Sequence, residues 1–128
     1  MKCDCVIDSY AWVEYFRGTT RGAKARDYIE SRSAATSAIT IAEMQEKYLR
    51  EKWNFAEDLS FIMTRTTLIP VDRTIALTAG QINYSRKRIQ KDWGMADSIV
   101  LATARDLSAG VLTGDPHFKD LPEAILIL

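Results

Sequence analysis

Residues 94–116 read GMADSIVLATARDLSAGVLTGDP, a stretch in which a helical pattern leads into a short apolar strand. Apolar residues recur at helical spacing from Ala96 to Leu107, and the small residues that follow end the helix. A short apolar strand runs from Val111 to Thr113, and a Gly-Asp-Pro turn closes it. A helix that leads into an apolar strand is typical of a βαβ unit, so the stretch predicts an α/β fold.

The same alternation extends over the rest of the chain. We predict further strands at residues 3–7, 34–39, 67–71 and 125–128, and helices at 10–16, 21–31, 40–50, 53–63 and 72–91. The expected N-terminal caps are Thr20, Thr40 and Asp72. The expected apolar stripe of the 72–91 helix is Ile75, Ala79, Ile82 and Ile89. The prediction is a single domain, residues 1–128, with a parallel sheet of about five strands and helices on both faces.

Length and charge limit the possible functions. A chain of 128 residues fits one domain, and its 17 Lys and Arg residues balance its 17 Asp and Glu residues. A net charge of zero argues against a protein that holds nucleic acid by charge alone, although it permits an enzyme with a local basic patch. No apolar run is long enough to span a membrane, and the first residues do not resemble a signal peptide. We therefore expect a cytoplasmic protein with no membrane partner.

Cysteine and histidine are scarce. Cys3, Cys5 and the single His117 are too few for the usual zinc site of four ligands. Two buried, reduced thiols are the simplest interpretation of the cysteines. Any bound metal ion is therefore expected to have oxygen ligands.

Two acidic residues in the first half of the chain lie near the boundaries of predicted elements. Asp8 follows the first strand, and a role as N-cap of the next helix would explain it without a further function. Glu43 has two such explanations, which are a capping box with Thr40 and an ion pair with Lys47 one turn later. Taken separately, neither residue is strong evidence for a site.

Two more acidic residues lie in the 94–116 stretch. Asp97 has mostly small and apolar neighbours, and a buried carboxylate is costly unless it is paired or bound to metal. An N-cap role remains open for Asp97 if its helix starts at Ser98. Asp115 lies in an ordinary Gly-Asp-Pro turn, and Thr113 adds a hydroxyl on the same side if the strand persists.

Parallel topology is expected to bring these acids together. The carboxyl ends of parallel strands meet at one edge of the sheet, and four acids are expected there: Asp8, Glu43, Asp97 and Asp115. Neighbouring carboxylates repel one another unless a cation neutralises them, and their oxygens suit Mg²⁺ or Mn²⁺. The predicted chemistry is phosphodiester hydrolysis by water that the metal ion activates.

With these motifs the chain resembles a PIN domain, and specifically the single-domain VapC-type toxin ribonucleases of prokaryotic toxin–antitoxin pairs. The resemblance covers essentially the whole chain in length, order and spacing, and it is carried by residues 6–12, 40–43, 94–102 and 112–118. It implies a parallel sheet with flanking helices and Mg²⁺- or Mn²⁺-dependent cleavage of RNA, without a covalent intermediate.

The resemblance also implies roles for individual residues. Asp8, Asp97 and Asp115 correspond to metal ligands, either direct or through water. Glu43 corresponds to the acid that completes the pocket, with Thr113 or Ser9 as a supporting hydroxyl. It further implies a homodimer and a cognate antitoxin. Candidates for such an interface lie among the aromatic residues of the early helices, whose default interpretation is core packing: Trp12, Tyr15, Phe16, Trp53 and Phe55.

A basic cluster precedes Asp97 in the sequence. Complementing the end of a helix would explain it without a further function. Its closeness to the acidic site nevertheless makes three of its members candidates for contacts to RNA phosphates: Arg86, Arg88 and Lys91.

Two other functions are open to the same sequence. A non-catalytic module that binds RNA or protein could keep the PIN fold. A phosphoryl-transfer domain with Asp8 as nucleophile is disfavoured, because Tyr10 stands where a second Asp would be expected and no phosphate-binding glycine loop is present.

Overall fold

The computed structural model describes residues 2–128, which form a five-stranded parallel sheet with helices on both faces. The strands are β1 (Cys5–Ile7), β2 (Ala34–Ser37), β3 (Thr67–Ile69), β4 (Gly110–Thr113) and β5 (Ala124–Leu126). The helices are α1 (Ser9–Arg17), α2 (Thr20–Glu30), α3 (Ala38–Glu51), α4 (Ala56–Arg65), α5 (Arg73–Arg86) and α6 (Met95–Asp106), with a 3₁₀ turn at Pro116–Phe118. The predicted α/β fold is confirmed.

The strand order is β3-β2-β1-β4-β5, and all pairings are parallel. The chain moves outward from β1 to β3 and then returns to the other side of β1 with β4. Ile7 pairs with Leu112, so residues 8 and 113 follow side by side at the carboxyl edge. In open α/β sheets, ligands bind beyond this edge at the point where the strand order reverses, which here lies between β1 and β4.

The central strands contribute to two separate cores, because successive side chains of a strand point to opposite faces of the sheet. Val6 and Val111 face the core formed with α5 and α6. Ile7 and Leu112 face the core formed with α1 to α4. Burial on both faces explains why the strands are apolar runs rather than alternating patterns.

Two predicted helix starts are wrong. β2 ends at Ser37, whose hydroxyl accepts a hydrogen bond from the Ile39 N–H at 3.3 Å and caps α3. Thr40 is therefore inside the first turn of α3, where it is fully buried, and it forms no capping box with Glu43. Thr19, rather than Thr20, caps α2.

Helix α5 is shorter than predicted. It ends at Arg86 instead of continuing to Lys91, and the Ile89 and Gln90 N–H groups both donate to the Arg86 backbone oxygen in the turn that follows. Ile89 consequently lies outside the helix and is 72% exposed, so its place in the apolar stripe is wrong. The other three predicted members of that stripe are buried.

Cys3 and Cys5 are free and buried, as predicted. Burial raises the pKa of the Cys5 thiol to about 12 and also raises the pKa of Cys3, so both thiols are protonated at neutral pH. No helix formed by residues 2–128 combines the length and the apolar character that crossing a membrane requires.

Candidate active site

Asp8 lies at the point where β1 ends and α1 begins. Its Oδ1 accepts a hydrogen bond from the Ala11 N–H at 2.9 Å, which confirms the predicted N-cap. The side chain is nevertheless buried, and this burial raises the pKa of Asp8 to about 7. The Thr113 hydroxyl and the Ala11 amide oppose the shift, whereas the charges of Asp115 and Asp97 add to it. A capping role alone does not require a buried carboxylate among other acids.

Asp115 follows β4 in a turn that fixes its carboxylate. The Asp115 N–H donates to Thr113 Oγ1 at 2.9 Å, so the threonine hydroxyl orients the start of the turn. Asp115 Oδ1 in turn accepts from the His117 N–H at 2.9 Å and lies 3.0 Å from His117 Nδ1. Asp115 is therefore the N-cap of the 3₁₀ turn at Pro116–Phe118, and its side chain remains partly exposed to the cavity described below.

Asp97 lies in the first turn of α6, three residues after the Gly94 cap. Its Oδ2 accepts a hydrogen bond from the Gly94 N–H at 3.0 Å, so the helix starts before Ser98 and Asp97 is not its N-cap. Burial raises the pKa of Asp97, the nearby charge of Asp115 raises it further, and His117 lowers it.

Glu43 projects from α3 toward the same region. The Ser9 hydroxyl donates to Glu43 Oε1 at 3.3 Å, which joins the start of α1 to α3. Burial raises the pKa of Glu43, and the charge of Asp97 adds to this effect. The alternative ion pair between Glu43 and Lys47 is not among the salt bridges of the described residues.

The four acids line one open cavity of about 450 Å³. They come from four separate segments of the chain, as the sequence predicted from parallel topology. The remaining lining residues are Ser9, Tyr10, Val13, Glu14, Met44, Glu46, Lys47 and Arg50. Within residues 2–128, no Lys or Arg side chain forms a salt bridge with Asp8, Glu43 or Asp97.

The donor set fits a hard divalent cation. Three carboxylates with raised pKa values lie beside a fourth, and carboxylate oxygens are the ligands that Mg²⁺ and Mn²⁺ prefer. In the described part of the chain, no three His, Cys, Asp or Glu side chains converge closely enough to hold an ion by themselves. Mg²⁺ commonly binds to proteins through one or two carboxylates, and water or substrate phosphate completes its coordination.

Sequence reasoning missed the two cations of the cavity, Lys47 and Arg50. They follow Glu43 by one and two turns on α3, and residues at this spacing share a helix face. That spacing is visible in the sequence, where Lys47 was considered only as an ion-pair partner of Glu43. Arg50 Nη1 is also 2.8 Å from Glu46 Oε1, which leaves Lys47 as the cavity cation without a salt bridge in the described structure.

The basic cluster near residue 90 does not line the cavity. The Arg86 side chain is only 8% exposed and forms an ion pair with Asp120, so its predicted contact with an RNA phosphate is not supported. Arg88 and Lys91 are exposed beyond the end of α5, and their predicted contacts with RNA stay predictions.

The aromatic residues of the early helices divide between core and surface. Trp12 and Phe55 are buried, whereas Tyr15 and Phe16 are partly exposed. Phe61 of α4 joins them, with ring centroids 5.9 Å from both Tyr15 and Phe16. The three partly exposed rings form an aromatic surface cluster on the side of α1.

The fold and the cavity define an α/β protein with an acidic site where the strand order of a parallel sheet reverses. A model of the PIN domain matches residues 5–124, and the chain belongs to the PIN domain family. No curated protein sequence matches the chain significantly.

Several solved structures share this fold. A toxin–antitoxin complex from Klebsiella pneumoniae has a TM-score of 0.79 at 17% identity, with 98% of each chain covered. DNA-bound VapBC from Salmonella typhimurium has a TM-score of 0.72 at 22% identity, with 97% of this chain and 96% of that chain covered. VapC20 from Mycobacterium tuberculosis, a toxin that cleaves the sarcin–ricin loop, has a TM-score of 0.72 at 14% identity, with 93% and 95% covered. The chain therefore has the fold of VapC toxins.

Proposed function

We propose that the chain is a metal-dependent endoribonuclease that hydrolyses phosphodiester bonds of RNA and acts as the toxin of a toxin–antitoxin pair. One observation carries the proposal: four carboxylates from distant segments line one cavity, and three of them have raised pKa values and form no salt bridge with a Lys or Arg side chain of residues 2–128. Buried carboxylates of this kind are costly to maintain unless a cation is bound.

Asp8, Asp97 and Asp115 are the proposed metal ligands, directly or through water, and Glu43 completes the site. A bound Mg²⁺ or Mn²⁺ ion would supply positive charge that acidifies water and stabilises the phosphate oxygens. The protein's own groups fix the acids: the Ala11 amide orients Asp8, and the Gly94 amide orients Asp97.

Two hydroxyls support this arrangement. Thr113 accepts from the Asp115 amide, and Ser9 donates to Glu43, so each holds an acidic side chain or its backbone in place. Lys47 lies on the cavity wall, where its ammonium group would attract an RNA phosphate and offset the acidic surroundings.

RNA is proposed as the substrate class because the cavity is open and acidic. A substrate with phosphate groups can reach a metal ion held by the acids and complete its coordination. The similarity in fold to VapC20, which cleaves the sarcin–ricin loop, also supports RNA. The target sequence is a separate property that the acids do not determine.

Cleavage of a single-stranded RNA oligonucleotide tests the proposal directly. We expect the purified protein to cut it with Mg²⁺ or Mn²⁺ and to be inactive with EDTA. Asp8→Asn and Asp97→Asn should each lower the rate by at least about a hundredfold, because each removes a ligand charge. Asp72→Asn is the matched control, since Asp72 caps α5 through an equivalent 2.9 Å hydrogen bond but lies outside the cavity.

Wild-type cleavage rates in both Asp→Asn variants would contradict the proposal. RNA binding that survives EDTA and Asp97→Asn, without any cleavage, would instead identify the non-catalytic RNA-binding module. A single-stranded DNA oligonucleotide of the same sequence shows whether the activity is specific for RNA.

A cognate antitoxin and a homodimer are the proposed protein partners. Structures of toxin–antitoxin complexes share the fold of this chain, which supports an antitoxin partner. The aromatic surface cluster offers apolar rings that a partner segment could cover. Light scattering of the protein, alone and mixed with the product of a short neighbouring gene, measures both associations.

A further inference from the structure

Arg86 is a buried charge that the proposed function does not use. Its side chain turns away from solvent at the end of α5 and is only 8% exposed. Nη1 donates to Asp120 Oδ2 at 2.6 Å, and Nη2 donates to Asp120 Oδ1 at 3.0 Å. Nη2 also donates to the backbone oxygen of His117 at 2.7 Å. The guanidinium therefore holds the segment that directly follows Asp115.

The same guanidinium contacts the loop that leads to Asp97. It lies over the Trp93 ring, 4.5 Å from the centroid, and Trp93 directly precedes the Gly94 amide that holds Asp97. The Trp93 indole N–H donates to Ser98 Oγ at 2.7 Å and so ties this loop to the first turn of α6.

A second side chain reinforces this connection. Gln90, in the loop after α5, donates through Nε2 to the His117 backbone oxygen at 3.0 Å. Phe118 packs against Trp93 with ring centroids 4.8 Å apart. The loop before α6 and the turn after β4 are thus joined at several points, and Arg86 contacts both.

The chemistry of these contacts requires arginine. A planar guanidinium can bind both oxygens of a carboxylate, donate to a carbonyl and stack on an aromatic ring at once, whereas an ammonium group has no such planar fork. The Arg86 ion pair also lowers the pKa of Asp120, which keeps that carboxylate charged. The guanidinium is therefore committed to internal partners and does not face the substrate.

We propose that Arg86 is a positioning residue that clamps the turn carrying Asp115 to the loop before Asp97, and thereby sets the spacing of these two acids. It acts through the backbone and does not contact RNA. The inference rests on the proposed function for its effect on catalysis, whereas the clamp itself is a property of the fold.

The variants Arg86→Lys and Asp120→Asn test the clamp. Lysine keeps the positive charge but loses the planar fork, and Asp120→Asn removes the carboxylate charge that pairs with Arg86 at a position that is 53% exposed. Arg105→Gln is the matched control, because Arg105 forms a 2.8 Å ion pair with Glu123 and lies at the opposite end of α6.

The first measurement is hydrogen exchange of the His117 and Gly94 amides, which bond the carboxylates of Asp115 and Asp97. We expect faster exchange of both amides in the two clamp variants and no change in the control. Unchanged exchange of both amides would overturn the clamp, and this readout needs neither metal nor RNA.

The second measurement is Mn²⁺ binding followed by electron paramagnetic resonance, together with RNA cleavage kinetics. Groups that orient metal ligands typically change affinity or activity by about 10- to 100-fold, so we expect Mn²⁺ binding and kcat to fall by at least about tenfold. KM for RNA and its salt dependence should stay at the wild-type values. A raised KM with a weaker salt dependence would overturn the inference and restore Arg86 as a phosphate contact.

These readouts separate the two ideas. If wild-type protein neither binds Mn²⁺ nor cuts RNA, the proposed function fails, and amide exchange still decides whether Arg86 clamps the two segments. If wild-type protein does both and the clamp variants match it, the positioning role alone is wrong.

Discussion

At the residue scale, the buried carboxylate of Asp8 lowers the free energy of unfolding of the metal-free protein when it is ionised. Its carboxylate caps α1 but is buried, and this burial raises its pKa to about 7. Between about pH 4 and pH 7 the folded state therefore binds more protons than the unfolded state. The free energy of unfolding of the metal-free protein should fall as the pH rises through this range and remain low above it.

Asp8→Asn should remove this penalty while keeping the cap, since an amide oxygen can still accept from the Ala11 N–H. We expect the metal-free variant to be more stable than wild type by about 1–3 kcal/mol at pH 8, with the gain vanishing near pH 4. Urea denaturation in EDTA across this pH range measures the difference. Asp72→Asn, at an exposed cap, should show no such pH-dependent gain, and an equal gain there would refute the explanation.

At the scale of elements, α1 and α2 approach closely at Gly22. A Cβ atom there would lie 2.1 Å from the backbone oxygen of Glu14, whereas a Cβ at Gly80 of α5 would meet nothing within 4 Å. Gly22 lies in the first turn of α2 and Gly80 in the interior of α5, and alanine is a better helix former than glycine. The two positions therefore separate helix propensity from packing.

Gly22→Ala should lower the free energy of unfolding by about 2 kcal/mol or more, because rigid backbone cannot yield to the added methyl group. Gly80→Ala should raise it by about 0.5–1 kcal/mol. Chemical denaturation of both variants measures the contrast. A stabilised Gly22→Ala protein would show that the helices can separate without loss.

Element boundaries also show where sequence reasoning fails. Both Ser37 and Thr40 can cap a helix, and the local sequence does not say which one does. At the end of α5, the Arg86 side chain contacts Asp120 and His117, which lie far along the chain. Periodicity in a short window contains no information about such partners, so the helix was predicted too long.

At the scale of the whole molecule, the charges sum to zero, so binding of RNA depends on where the cations lie. Lys47→Gln should raise KM for RNA severalfold and reduce the slope of log K against log salt by about one, as expected for a single phosphate contact. Arg26→Gln, an exposed change on α2, is the control. Cleavage kinetics at several salt concentrations measure both.

A Lys47→Gln protein with wild-type KM and salt dependence would exclude this phosphate contact. The same effect in Arg88→Gln would instead place the RNA path along the segment after α5, as the sequence suggested.

Much of the architecture could be predicted from the sequence, because apolar runs and helical spacing are local patterns. Parallel topology then brings Asp8, Glu43, Asp97 and Asp115 to one edge, and the cavity contains all four. The burial that raises the pKa of Asp8, and the enclosure of Arg86, depend on packing between distant segments. No local pattern reports such packing, which is why Arg86 was predicted as a surface group.

The central position of β1, between β2 and β4, also has a consequence for synthesis. A ribosome produces Asp8 before Asp115. In the nascent chain, β1 is therefore complete before β4, its second pairing partner, has been made. Such a pairing between distant residues forms slowly compared with local helices. Under the proposed function, a partly translated chain lacks a complete acidic edge, so it cannot cleave RNA until β4 has paired with β1.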